Sequence, residues 1–375
     1  MIKVLHVVSC MNRAGEETFI MNIYRHIDRS KVQFCFLCSQ TGPADYDQEI
    51  YNLGGEIYYL PTISKSLGPF SYFKEIMIRA KWFTDNRDKF DLVHVHTYHA
   101  LNVLIELVAC RFAGVKKVIV HSHNTQAPHI YLHKFCRALS HLYNFRKFAC
   151  GIAAGKWLFG EKTFNKGEVY IVPNGIDTKK FIFNEKLRHE YRQMLGIDGK
   201  IVLGHIGRFD EQKNHSFLLN IFEAFHLRNN NSVLLLIGRG KLQKYIKQKV
   251  EEKGLSDSVI FLGVRNDIPA LISAMDVFVF PSLYEGLSVC SIEVQCNGLP
   301  IVTSDIPSMK EANIAGCMMF CSLTDSADVW ADKISSITQY DRISFMQKIL
   351  DKGYDISHIA SKLQESYLSY VSNLK

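Results

Sequence analysis

DVFVFPSLYEGLSVCSIEVQCNGLPIVTSD, residues 276–305, decides the fold. It opens with a β-branched and aromatic run (DVFVFPS), crosses a polar loop, and enters a helix near Ser288 that Asn297-Gly298 and Pro300 bring to an end. A second apolar run, LPIVTSD, follows at once. Strand, helix and strand in that order predict a parallel sheet with helices on its faces. Two carboxylates stand out in this apolar setting: Glu285 in the loop before the helix and Glu293 within it. Buried carboxylates are costly unless a cation or hydrogen-bond donors meet them.

The same alternation extends in both directions. IKVLHVV, VQFCFLC, EIYYL, DLVHVH, KVIVHS, CGIAA and EVYIV mark strands in the first half; KIVLGHIG, SVLLLIG and SVIFLG precede the opening stretch in the second. Two doubly wound α/β domains are expected, Rossmann-like and facing each other across a cleft, with ligands at the carboxyl ends of the strands. IVPNGIDTKKFIFNEK, residues 171–186, reads as the hinge. The expected division is 1–180, 181–353, and a C-terminal helix over 354–375 that returns to the first domain.

Composition narrows the class. With 375 residues, 47% hydrophobic and 22% charged, the chain is an ordinary globular protein of two-domain size. A net charge of +7 suits anionic small molecules or an anionic membrane surface and is too weak to argue for nucleic acid. Ten scattered cysteines predict reduced thiols in the cytosol. Cys35 and Cys38 lie three apart on a strand, on opposite faces, and so share neither metal nor disulfide. MIKVLHVVSC reads as a first strand rather than a signal peptide, and no apolar run reaches the roughly 18 residues of a membrane span.

GHIGRFDEQKNHSFLL, residues 204–219, is a strand ending in Gly207, then Arg208, a polar loop with Lys213, and a helix. Two cations beside a helix N-terminus suit a diphosphate. Alone, the loop reads equally well as a solvated turn. Following DVFVFPS, the amides of Gly286 to Cys290 would face whatever lies at the strand ends, and a carboxylate there accepts hydrogen bonds from vicinal hydroxyls.

GRFDEQKN, SLYEGLSVCSIEVQCNGLPIV, YIVPNGID and LLLIGRG together resemble the retaining glycosyltransferases of family 4, of GT-B fold, over essentially the whole chain. The similarity is strongest to bacterial enzymes of capsule and exopolysaccharide assembly. The resemblance implies transfer of a sugar from a nucleoside diphosphate, a UDP-sugar, to a hydroxyl of a glycan or polyprenyl-linked acceptor, with retention, no cofactor and no metal. A nucleotide-sugar epimerase or a silent scaffold subunit is the alternative on the same fold. By the resemblance, Arg208 and Lys213 hold the diphosphate and stabilise the leaving group. Glu293 binds the ribose and Glu285 the transferred sugar. Gly207 and the stretch Gly286, Leu287, Ser288, Val289 and Cys290 line the donor, Val264 and Arg265 hold the base, and Gly15 lies against donor and acceptor. Many relatives have Gly-Phe-Gly after the first glutamate, whereas Gly286-Leu287-Ser288 stands here, and Ala14 replaces the first of two glycines.

HVHTYHA and VIVHSHNT set His94 and His96, then His121 and His123, at the ends of two strands. Residues two apart share a face, so four imidazoles converge on a metal or on hydrogen bonds. The resemblance implies that His123 faces the reacting sugar, with His121 as its alternate and Asn124 a further acceptor contact. Asp45-x-Asp47 looks like a metal pair but lies in an early loop far from the diphosphate residues. SYFKEIMIRAKWFTDNRDK and YLHKFCRALSHLYNFRKF mix cations with aromatics. They suit a surface on anionic lipid at the inner face of the plasma membrane, or plain solvated helices with an aromatic core face.

Overall fold

The computed structural model describes residues 1–60, 69–125, 129–337, 342 and 345–372. It divides into two compact units, one of Met1–Gly175 with Ile356–Lys375, the other of Ile176–Asp355. The chain crosses between them inside the 171–186 stretch and again at the start of the C-terminal helix.

The first unit is built on β1 (Ile2–Val8), β2 (Val32–Cys38), β3 (Glu56–Tyr59), β4 (Leu92–Thr97), β5 (Val118–Ser122), β6 (Arg146–Ala149) and β7 (Val169–Ile171). They pair in the order β3-β2-β1-β4-β5-β6-β7, every pair parallel. Leu5, Val93, Val95, Val118 and Val120 are buried in its core. The C-terminal helix Ile356–Ser372 completes this unit: the Tyr367 hydroxyl lies 2.7 Å from His94 Nδ1, and the Lys117 ammonium donates to the Val371 carbonyl at 2.6 Å.

The second unit carries β8 (Ile201–Ile206), β9 (Ser232–Ile237), β10 (Val259–Gly263), β11 (Val277–Phe280), β12 (Ile301–Ser304) and β13 (Met318–Cys321), in the order β10-β9-β8-β11-β12-β13. Leu234, Leu236, Val279 and Val302 pack in its core, each burial stabilising the fold by about 2 kcal/mol. Trp330 is fully buried, its indole N–H satisfied by the Ser322 carbonyl at 3.0 Å. In the opening stretch the helix runs Val289–Cys296, with Ser288 as its N-cap. Gly298 is forced by its surroundings: φ is +75° and a Cβ there would come within 2.1 Å of the Arg342 carbonyl oxygen.

In both sheets the strand order reverses beside the first strand, between β1 and β4 and between β8 and β11. Loops leaving such a pair part to opposite faces and open a crevice at the carboxyl edge, where doubly wound sheets bind ligands.

Candidate active site

In the second unit two of the predicted loops leave one sheet edge together. β8 and β11 are direct neighbours, pairing Leu203 with Val277 and Gly204 with Phe278, so the loops after them leave the same edge side by side. Three bonds tie these loops. The Leu283 amide donates to the Gln212 carbonyl at 2.8 Å, the Asn214 carboxamide to the Pro281 carbonyl at 3.2 Å, and the Gln212 carboxamide to the Tyr284 carbonyl at 2.9 Å. Asn214 adopts a left-handed conformation, φ 54°, as it opens the helix His215–His226, a conformation Asn tolerates better than most side chains. The loop after β9 presses closer still. A Cβ on Gly238 would lie 2.1 Å from the Gly207 carbonyl oxygen, so only glycine fits.

This frame brings Lys213 to Glu285. The ammonium lies 2.6 Å from the Glu285 carboxylate and 4.6 Å from the centre of the Phe280 ring, and Gln212 reaches the second carboxylate oxygen at 3.3 Å. The pair is enclosed, with side chains 14% and 6% exposed. Arg208 differs: its side chain is 58% exposed and lies 3.4 Å from Asp210. In this structure Lys213 and Glu285 meet each other, while Arg208 stays exposed.

Glu293 is the opposite case. It is partly buried on the helix after the loop, and among the described residues no hydrogen bond or ion pair reaches its carboxylate. Desolvation lifts its pKa to about 7, and beside it burial pushes the Cys290 thiol well up, with Glu293 adding to the shift. Ser288 caps its own helix: its hydroxyl accepts from the Ser291 amide at 3.3 Å. Leu287 is buried, Val264 is exposed, and Arg265 is forked onto Asp267 at 2.8 and 2.5 Å.

In the first unit, Gly15 opens the helix Gly15–His26 after β1, and a Cβ there would meet nothing within 4 Å. His123 is partly exposed beyond the end of β5, next to Asn124, whose side chain accepts from the Thr125 amide at 2.8 Å. His121, its alternate, is 0% exposed, edge-on to Phe19 and Phe148, so a ligand does not reach it there. The four strand-end histidines do converge, and His6 of β1 joins them; His6, His94 and His96 form one group of three, and His96, His121 and His123 another, with ligand atoms within 4.8 Å. Asp45 and Asp47 are occupied in turns: Asp45 accepts from the Arg13 amide at 3.0 Å, Asp47 from the Ala44 amide at 2.8 Å. None of the ten cysteines forms a disulfide, and eight are buried.

Gln212 and His6 escaped the sequence reading. Gln212 falls inside the polar run FDEQKN, where nothing distinguishes it. His6 carried a signal in hindsight, a lone imidazole inside an otherwise apolar first strand, IKVLHVV.

Two family descriptions match the two halves of the chain: Glycosyltransferase Family 4 over residues 13–180 and Glycosyl transferases group 1 over residues 188–348. The putative glycosyltransferase EpsF of Bacillus subtilis (strain 168) is 36% identical over 97% of this chain and 96% of its own. The UDP-Gal:alpha-D-GlcNAc-diphosphoundecaprenol alpha-1,3-galactosyltransferase of Escherichia coli is 24% identical over 99% of this chain and 98% of its own. Among solved structures, Anabaena Alr3699/HepE in complex with UDP and glucose superposes with a TM-score of 0.76 at 19% identity, over 98% of this chain and 100% of that one.

Proposed function

Because the chain belongs to the family 4 and group 1 glycosyltransferases, we propose that it transfers a sugar from UDP to a hydroxyl of a lipid-linked glycan in cell-surface polysaccharide assembly, with retention and without a metal. The observation that carries this reading is the carboxyl edge of β8 and β11, where an exposed Arg208, the enclosed Lys213–Glu285 pair and a Glu293 without a partner among the described residues come from the two loops and the helix that follow.

Each group has work in that reaction. Arg208 meets the diphosphate first, and Lys213 turns toward it as charge builds on the departing oxygen. Glu285, freed in step, accepts hydrogen bonds from the hydroxyls of the transferred sugar. Glu293 accepts from the ribose, and ionises as those donors reach it. The amides of Gly286 to Cys290 and Gly207 line the diphosphate and sugar, and the backbone at Val264 and Arg265 holds the base. In the first unit, His123 and Asn124 address hydroxyls of the acceptor. The C–O bond to the diphosphate breaks as the acceptor oxygen bonds the anomeric carbon from the same face, and the leaving phosphate oxygen takes the acceptor's proton. Charge is met throughout by Arg208 and Lys213, so catalysis rests on positioning and electrostatics.

A lipid-linked acceptor is favoured by two surfaces. Tyr131, Phe135 and Leu142 are 86%, 63% and 77% exposed on and after the helix Ile130–Ser140, beside the exposed Lys134, and Phe73 and Met77 are exposed on the helix Pro69–Asp85. Aromatic and basic side chains exposed together suit a surface lying on anionic lipid at the cytoplasmic face. Among the described residues no helix is long and apolar enough to cross a membrane. The E. coli relative, named for a diphosphoundecaprenol acceptor, supports the same reading. Titrating UDP into the protein by calorimetry tests the donor site: binding that Arg208→Ala weakens supports it, and no binding of UDP or any other nucleoside diphosphate overturns it.

A further inference from the structure

Five histidines pack at the carboxyl side of β1, β4 and β5, and three of them are joined end to end. His6 Nδ1 lies 2.8 Å from His96 Nε2, and His96 Nδ1 lies 2.8 Å from His123 Nε2. We propose that His6, His96 and His123 form a relay of neutral imidazoles whose direction is set at its buried end, so that His123 holds its ring proton on Nδ1 and presents it as a donor beyond β5.

The direction follows from counting protons. Burial lowers the pKa of His6 and of His123 to about 3 and pulls His94, His96 and His121 well down, so all five are neutral near pH 7. A neutral imidazole has one N–H and one acceptor nitrogen. His96 bonds through both nitrogens, so it donates in one bond and accepts in the other, and the three rings point the same way. Only two senses remain, Nδ1–H on all three or Nε2–H on all three. The second leaves an N–H on His6 Nε2, which is buried without a partner among the described residues. Around it stand Phe34, 4.1 Å between ring centres, and Phe36, 5.6 Å. The first leaves only a lone pair there, and an orphaned buried N–H is the rarer and costlier of the two.

The neighbours push the same way. The Tyr367 hydroxyl lies 2.7 Å from His94 Nδ1, and His94 Nε2 has no partner among the described residues. His121 also has both nitrogens unpartnered. His121 therefore already holds one N–H without an acceptor among the described residues, and the second sense would add another. A metal is the competing use of these rings. It would take a nitrogen of His96 out of one of the two bonds, and neither three-histidine group includes a carboxylate or thiol.

His123 is thus a donor to a lone-pair oxygen, not a base, and His96 and His6 are positioning residues acting through it. What His123 meets rests on the transferase reading; its tautomer does not. The test is a two-bond proton–nitrogen NMR correlation on protein labelled with 15N-histidine and freed of ligand. His123, assigned by its loss in His123→Asn, is expected to show a protonated Nδ1, the minor tautomer of free histidine. In His96→Phe it should revert to Nε2–H, while His96→Gln, whose carboxamide can donate to Nε2, keeps Nδ1–H. In transferase assays His96→Phe should lower kcat about tenfold, the scale of one hydrogen bond, with donor KM unchanged, and His96→Gln should restore most of it. Nε2–H on wild-type His123, or zinc bound stoichiometrically with the histidine shifts it would cause, overturns the relay. An intact relay in a protein that transfers no sugar would sink the transferase reading alone.

Discussion

The Lys213 ammonium and the Glu285 carboxylate lie 2.6 Å apart at the carboxyl edge of β8 and β11, on loops that 72 residues of chain separate. A charge pair this enclosed stores its own consequence: removing one member leaves the other desolvated and alone. Glu285→Gln should therefore cost about 3 kcal/mol of stability, and Lys213→Met with Glu285→Gln should recover part of that. Urea denaturation of the two single variants and the double variant measures the coupling; strict additivity would show that the two charges do not interact.

Glu293 makes stability depend on pH in an unusual direction. Its folded pKa of about 7 lies above the ordinary 4.5 of a glutamate, so between those values the folded state holds more protons than the unfolded one. Its cost is absent below about pH 4.5, grows as the pH rises, and is complete above about pH 7, at no more than about 3 kcal/mol. Glu293→Gln should melt higher than the wild type at pH 8 and alike at pH 4.5. Equal melting temperatures at pH 8 would contradict this environment for Glu293. The same variant should bind UDP more weakly, since the proposed ribose contact is gone.

Arg208 offers a separation of binding from folding. With its side chain 58% exposed and Asp210, at 3.4 Å, its one ion-pair partner among the described residues, Arg208→Ala should leave the melting temperature within a degree or so while weakening UDP about ten- to a hundredfold, the loss of a charge-assisted bond. Calorimetry and thermal melts on the same preparation decide it. Unchanged UDP affinity would remove Arg208 from the donor site.

Tyr131 and Phe135 should govern membrane contact. Replacing both with Ser is expected to release the protein from vesicles rich in anionic lipid, and raising salt should do the same to the wild type through the exposed Lys134. Sedimentation with vesicles reads both effects. Binding indifferent to salt, to anionic lipid and to the double substitution would leave these side chains without that role.

The sequence made the sheets legible because parallel strands, buried on both faces, read as continuous apolar runs such as SVLLLI and VFVF, and because Asn297-Gly298 and Pro300 close a helix visibly. It also located Arg208, Lys213, Glu285 and Glu293 in loops and a helix that the fold brings to one edge. Pairings across strands were less legible. That Lys213 would find Glu285 depends on β8 lying beside β11, a neighbour relation that chain order does not specify. His6 joined the other histidines for the same reason, through the pairing of β1 with β4. The Ser288 cap was hidden by a different cause: a serine before a helix serves equally as a cap or a ligand contact, and only its bond to the Ser291 amide distinguishes them.

The central claim is tested most directly by supplying UDP-sugars with a polyprenyl diphosphate-linked sugar acceptor and determining the product by mass spectrometry and NMR. The account predicts UDP release that requires the acceptor, together with a new glycosidic bond whose anomeric configuration matches that of the donor sugar. An inverted linkage would contradict retention, and an epimerised UDP-sugar formed without any acceptor would contradict transfer itself.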